Sequence, residues 1–145
     1  MKIAILKSSY HTNIMEGLLS GATQYLATEQ FAGDDIHVFE APGAFEIPLL
    51  AKALASSGKF AGVICLGCVI KGDTAHFEYI SEAVSHGIMQ VGLESEVPVT
   101  FGILTTYTEE QAQFRALPSA DNKGIEAARA CIQAIRTLSK IRKHL

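Results

Sequence analysis

The chain has 145 residues, a one-domain length, of which 48% are hydrophobic and only 19% charged, below the ~25% of an ordinary soluble domain. A net charge of −3 argues against a nucleic-acid binder. Mean hydropathy is positive, yet the longest apolar run, Ala61–Ile70, is interrupted by Gly62 and Gly67 and falls well short of the ~18 residues of a membrane span. Lys2–Lys7 reads as a short buried strand, and residues 13–28 carry helical spacing at Ile14, Leu18, Ala22 and Leu26, with Thr12 or Asn13 available as a cap. Ile36–Ala41 reads as a second strand, broken by Pro42-Gly43. A helix is expected over 44–57, with Pro48 tolerated in its first turn. Ala61–Val69 is the most apolar strand and is expected at the centre of the sheet. Residues 76–93 read as a helix with Phe77, Ile80, Val84, Ile88 and Val91 on one face. Val97–Thr105 is a further strand and Thr108–Ala116 a short helix. Leu117-Pro118 ends that helix, and Asn122 caps a final one that buries Ile125, Ala128, Ile132, Ile135 and Leu138.

Strands alternating with helices predict an α/β fold: a three-layer α/β/α sandwich, flavodoxin-like, with a four-stranded parallel sheet in the order 2-1-3-4 and one domain over residues 1–145. Spare apolar surface with few charges points to a homo-oligomer. The three cysteines, Cys65, Cys68 and Cys131, are odd in number and no leader is expected before the first strand, which favours a reduced cytoplasm. Cys65-Leu66-Gly67-Cys68 lies in a strand, where positions i and i+3 face opposite sides, and no second pair completes a zinc site. No metal and no cofactor are expected. The basic end of the chain (Arg136, Lys140, Arg142, Lys143) suits the last turns of a helix and has no interleaved aromatics.

In open parallel sheets ligands bind beyond the carboxyl ends of the strands. Four segments leave those ends, Ser8–Asn13, Ala41–Glu46, Val69–His76 and Thr105–Thr108, and the unusual polar and aromatic residues are concentrated in them. Tyr10 can stack on a flat ligand or pack on its own helix. Gly43 allows a close backbone approach, and Glu46 either caps a helix or accepts from a polar ligand. Gly72 permits a tight turn before Asp73 and Thr74, whose N–H groups at a helix start form an anion site. No G-x-x-x-x-G-K-[ST] motif is present, so nucleoside triphosphates are not expected. His76 stands beside that anion site, as a structural histidine or as a general acid/base. Arg115 either clamps a phosphate or pairs with Glu109 or Glu126. Lys123, a cation just after a helix cap, serves a ligand or an adjacent subunit.

Several blocks in one register resemble the lumazine synthases. Ala41–Pro48 is similar to that family's P-G-A-F-E-I-P signature. Gly67–His76 followed by Phe77-Glu78-Tyr79 resembles its G-[TC]-V-I-[RK]-G-x-T-x-H-[FY]-[DE]-Y segment. Pro98–Thr106 and Asn122-Lys123-Gly124 with Glu126-Ala127-Ala128 resemble its later blocks.

The resemblance implies a transferase that condenses a ribitylamino-aminouracil with a four-carbon keto-phosphate in riboflavin biosynthesis, with two small-molecule substrates, active sites at subunit interfaces of a homopentamer, and riboflavin synthase as a candidate partner. It assigns Tyr10, Ala44, Phe45, Glu46, Cys68, Val69, Ile70, Phe101 and Lys123 to the uracil substrate. Asp73, Thr74 and Arg115 fall to the phosphate substrate, and His76 to proton donation. Phe101 would close the pocket of a neighbouring subunit. Three features depart from the pattern. Ser9-Tyr10-His11 stands for the common Arg-Phe-Asn, Ser119 for a frequent lysine, and no N-terminal extension precedes the first strand. The competing reading is a module of the same fold that holds a lumazine or flavin without turnover. A phosphoacceptor domain is disfavoured, because Ser8-Ser9 and Gly67-Cys68 occupy the places where it needs carboxylates.

Overall fold

A computed structural model describes residues 1–145. Strands β1 (Ile3–Ser8), β2 (Ile36–Ala41), β3 (Gly62–Ile70) and β4 (Val99–Thr106) form one wholly parallel sheet in the order β2-β1-β3-β4. Helices α1 (Thr12–Thr28), α2 (Ile47–Ala55), α3 (His76–Ser95), α4 (Glu109–Phe114) and α5 (Lys123–His144) cover both faces. The result is the three-layer, flavodoxin-like α/β/α sandwich.

The alternation of side chains along each strand divides the core in two. Ile3, Ile5, Ile64 and Leu66 pack beneath α1, α4 and α5, against Leu18, Ala22, Ala112 and Ala128. Ala4, Leu6, Val63 and Cys65 face the other way, against Ile47 and Ala51 of α2 and Val84 and Ile88 of α3. All of β3 but its last residue is buried, which accounts for its unbroken apolar run. Each large side chain removed from water in this way contributes roughly 1.5–3 kcal/mol. Cys65 and Cys68 fall in opposite halves of the core.

Helices α1 and α5 approach closely because Gly21 and Gly124 leave room, while Gly17 makes room for Ala116 after α4. A Cβ on Gly21 would collide with the Asn122 side chain, and one on Gly124 with the Leu18 carbonyl. Asn122, 1% exposed, joins the two helices. Its Oδ1 accepts from the N–H groups of Gly124 (2.8 Å) and Ile125 (3.2 Å), which caps α5. Its Nδ2 donates to the carbonyls of Leu117 (2.9 Å) and Gly17 (3.1 Å).

The structure corrects several local expectations. Neither Thr12 nor Asn13 caps α1. His11 holds the cap position in left-handed backbone (φ 54°), and no side chain caps the helix. The helix expected over 44–57 is a 3-10 turn, Ala44–Glu46, followed by α2. Pro48 has no N–H to return to Ala44, so the chain closes there with Ile47 donating to the Ala44 carbonyl instead. On α5 the buried stripe is Gly124, Ala127, Ala128, Cys131 and Ile132, while Ile125, Ile135 and Leu138 are half-buried on its flanks. Small residues occupy the contact line because the helices are too close for large ones. Phe77 and Ile80 are likewise half-buried on α3, and β4 begins at Val99 because the Pro98 carbonyl accepts from Val63 N–H while the proline itself cannot donate.

Gly124→Ala would place a Cβ 1.9 Å from the Leu18 carbonyl oxygen. The expected cost in urea unfolding is at least the ~1–3 kcal/mol of an overpacked core. Gly72→Ala, where the added carbon meets nothing within 4 Å, should stay within about 0.5 kcal/mol of the parent.

Candidate active site

Two of the four loops at the carboxyl ends of the strands are tied directly to one another. Ser9 N–H donates to the Ala41 carbonyl (2.9 Å) and its hydroxyl to the Pro42 carbonyl (2.6 Å), so the β1–α1 and β2–α2 loops move as one. Ser8 Oγ accepts from Tyr10 N–H at 3.2 Å. These bonds set the Tyr10 ring against Gly43. A Cβ there would lie 3.2 Å from Tyr10 Cε2 and 3.3 Å from Glu46 Oε2. Gly43 is in ordinary extended backbone (φ −159°), so it is needed for space rather than for its torsion angles. Tyr10 and Phe45 are 66% and 61% exposed. Glu46 caps nothing and forms no ion pair within the chain, so its carboxylate stands free beside the phenol ring. Tyr10, Gly43 and Glu46 thus form a flat shelf with one acceptor edge, and Ala44 and Phe45 continue it.

The neighbouring wall is backbone. Pairing of β3 with β1 ends at Leu66 opposite Lys7, whereas pairing with β4 continues to Ile70 opposite Thr106. Residues 67–70 therefore overhang β1. Val63 and Lys71 both donate toward the β4 side, to the carbonyls of Pro98 and Thr106 (2.9 Å each). By the alternation of an extended strand, Cys68 and Ile70 turn their peptide groups to the opposite side, where β1 has ended. This is the switch point of the sheet, since α1 leaves β1 for one face and α3 follows β3 on the other.

Beyond the overhang, Lys71 lies 5.6 Å from the centroid of the Tyr107 ring and 3.8 Å from Glu78, and Phe77 packs on Tyr107 at 6.1 Å. Those contacts join the β3–α3 and β4–α4 loops. Asp73, Thr74 and His76 are exposed at the start of α3, where His76 N–H faces Thr74 Oγ1 at 3.4 Å. The free N–H groups of a 20-residue helix favour an anion at this position. Gly72 takes no left-handed conformation and has open space above it, so the tight turn expected there is not what requires a glycine. Helix α3 packs against the Ala44–Glu46 turn, which puts His76 on the same rim as the shelf.

Arg115 and Lys123 form a second cluster. Lys123 N–H donates to the Arg115 carbonyl at 2.8 Å, and both side chains reach Glu126, Arg115 Nη2 at 3.1 Å and Lys123 Nζ at 2.8 Å. Of the partners considered for Arg115, the chain uses Glu126. Lys123 holds the Glu126 carboxyl below its usual range, with Arg115 and Arg129 adding to the effect. This cluster belongs to the α1/α5 layer, and no hydrogen bond or ion pair connects it to Asp73, Thr74 or His76. Phe101 is separate from both groups. It lies five positions before the end of β4, roughly 16 Å back from the rim at 3.3 Å per residue, and packs toward the α2/α3 layer. Within one chain the expected site residues therefore form a shelf with its wall, a distant cation pair and an isolated aromatic. Tyr107 was not singled out by the sequence reading, although an aromatic residue in the fourth rim loop is a visible signal. A recess of about 480 Å3, lined by His11, Thr12, Asn13, Glu109 and Gln113 among others, adjoins the shelf but does not include it.

Residues 1–139 match the family model described as 6,7-dimethyl-8-ribityllumazine synthase. The chain is 50% identical over 143 residues to 6,7-dimethyl-8-ribityllumazine synthase 1 of Caulobacter vibrioides, covering 99% of this chain and 94% of that one. It is 48% identical over 141 residues to 6,7-dimethyl-8-ribityllumazine synthase of Syntrophus aciditrophicus, covering 97% and 92% respectively.

Burial raises all three thiols. Cys68 is pushed up to about 11, with Glu109 adding to the effect, and Cys131 to about 12, while Cys65, wholly buried, rises further still, with the nearby Cys131 adding to the effect. A disulfide-exchange reagent at pH 8 should label fewer than one thiol per native chain within minutes and three after denaturation. Rapid labelling of Cys68 in the native protein would contradict its placement in the core.

Proposed function

The chain belongs to the 6,7-dimethyl-8-ribityllumazine synthase family, and we propose that the rim described above is where it condenses 5-amino-6-(D-ribitylamino)uracil with 3,4-dihydroxy-2-butanone 4-phosphate. The reaction forms 6,7-dimethyl-8-ribityllumazine, with release of phosphate and water. The observation that carries the assignment is the meeting of an aromatic shelf, an unpaired backbone edge and an anion-favouring helix start at one switch point.

In this reading the uracil ring stacks on Tyr10. The peptide groups of Cys68 and Ile70, with Val69 between them, hydrogen-bond its edge. Ala44, Phe45 and Glu46 take the ring flank and the ribityl hydroxyls. Asp73 and Thr74, at the start of α3, receive the phosphate. The 5-amino group attacks the ketone and an imine forms with loss of water. Phosphate then leaves, the ribitylamino nitrogen closes the second ring, and a further water departs. His76 is placed to move the protons of these steps. Both reactants are intrinsically reactive, so orientation supplies most of the acceleration.

We further propose that the site is completed by a neighbouring copy in a cytoplasmic homopentamer. Phe101 and the Arg115–Lys123 pair are well suited to closing an adjacent subunit's shelf, because neither group joins the shelf of its own chain. Leu49 on α2 and Tyr79, Met89 and Leu93 on α3 are 65–74% exposed, which supports a large contact between copies. No helix is long and apolar enough to cross a membrane. Riboflavin synthase, which uses the product, is the partner this reading favours.

Product absorbance with both substrates present separates catalysis from mere holding of a ring. His76→Ala should slow turnover toward the low end of the ~10²–10⁴ range of general catalysis, and a larger loss would overturn the orientation account. Arg115→Ala should chiefly raise KM for the phosphate substrate; an unchanged KM would reject its role. Co-assembled His76→Ala and Arg115→Ala chains should regain activity above either parent if the site is shared, and mixtures no better than the parents would exclude sharing.

A further inference from the structure

The two cations of the second cluster are not free. The backbone bond from Lys123 N–H to the Arg115 carbonyl (2.8 Å) forces them to be neighbours, and Glu126, one turn into α5, gives one carboxylate oxygen to each (2.8 and 3.1 Å). Arg115 spends only Nη2 on this contact and keeps its remaining donors, while the Lys123 side chain is the less exposed of the two, at 19% against 37%. Ser119 and Asp121, in the segment between the cations, add no positive charge to the cluster. The cluster therefore carries a net charge of about +1 where Arg115 and Lys123 alone would carry +2.

We propose that Glu126 is an internal competitor for Arg115: bridged between Arg115 and Lys123 in the empty site, it weakens the arginine's hold on the phosphate group, whether borne by substrate or released. The inference rests on the assignment of Arg115 to that group. Its logic follows from the reaction, which must bind a phosphate ester and then let inorganic phosphate go. An unopposed Arg115 would hold the released dianion as firmly as the ester. Being ionised throughout the neutral range, Glu126 opposes the anion with a full negative charge. A carboxylate about 6 Å from a phosphate dianion in a solvent-like dielectric reduces affinity on the order of tenfold. Glu126 is thus a positioning residue that sets how long the leaving group stays.

The test is inhibition of the assembled enzyme by inorganic phosphate, compared for the parent, Glu126→Gln, Glu126→Ala and Arg115→Ala. Glu126→Gln should bind phosphate roughly tenfold more tightly and show stronger product inhibition, with KM for the phosphate substrate falling in parallel. A merely structural salt bridge predicts the reverse, since loosened cations bind phosphate less well. An unchanged or weakened phosphate affinity in Glu126→Gln overturns the proposal. If that variant does not assemble, Glu126→Ala decides: it likewise removes the negative charge, so phosphate must bind more tightly than in the parent, and parental or weaker binding is refuting. Should Arg115→Ala leave phosphate inhibition unaltered, the assignment of Arg115 itself is wrong. Weakened inhibition in Arg115→Ala without tightening in Glu126→Gln removes only the competitor.

Discussion

Strand β3 outruns β1, and the site follows from that mismatch. The strand is buried on both faces, so it is stabilised along nearly its whole length, yet its ladder to β1 stops at Leu66 while its ladder to β4 continues to Ile70. A strand edge that overhangs its neighbour leaves peptide groups without a protein partner, and buried peptide groups demand one. A planar ligand that presents donors and acceptors along one edge meets this demand. The shelf lies beside the overhang because β2 and β1 end in register, Ser8 opposite Ala41, and Ser9 ties their loops together.

The two charged regions of the site obey different physics. At the start of α3 the attraction for an anion comes from helix N–H groups, which are fixed in place and cannot be withdrawn by a competing side chain. At the start of α5 it comes from flexible cations that Glu126 already engages. In the proposed reaction the fixed part sets where the phosphate sits, and the adjustable part how firmly it is held. In a protein with so few charges, a triad built from one acidic and two basic residues is a concentrated investment of polar groups at one place.

Much of the fold was legible because its signals are local. The apolar run of β3, the Pro42-Gly43 break and the capping asparagine at 122 each act through neighbouring residues, and alternating strands and helices predict a parallel sheet, for which 2-1-3-4 is one of two common orders and the one found. The unforeseen details depend on distant parts of the chain. The buried stripe of α5 is made of small residues because α1 lies so close, and hydrophobicity alone placed Ile125, Ile135 and Leu138 where there is no room for them. The cap position of α1 fell to His11, which takes left-handed backbone and makes no side-chain cap. Gly43 was read as permitting a close approach, and the structure names what approaches, Tyr10 and Glu46. Gly72 invited the same reading, yet its surroundings are empty. Pattern can nominate the residues of a rim, but the division of Phe101, Arg115 and Lys123 from the shelf appears only when strand lengths and layers are laid out in space.

The asparagine that joins α1 to α5 has a consequence for how the protein comes into being. It spans 105 positions of sequence to reach Gly17, and the face of β1 and β3 beneath α5 stays uncovered until that last helix arrives. A chain emerging from the ribosome therefore displays a half-finished apolar face for most of its synthesis. Premature termination before α5 would leave a sticky fragment rather than a weakened enzyme, so the quality of translation near the 3′ end of the message bears directly on solubility.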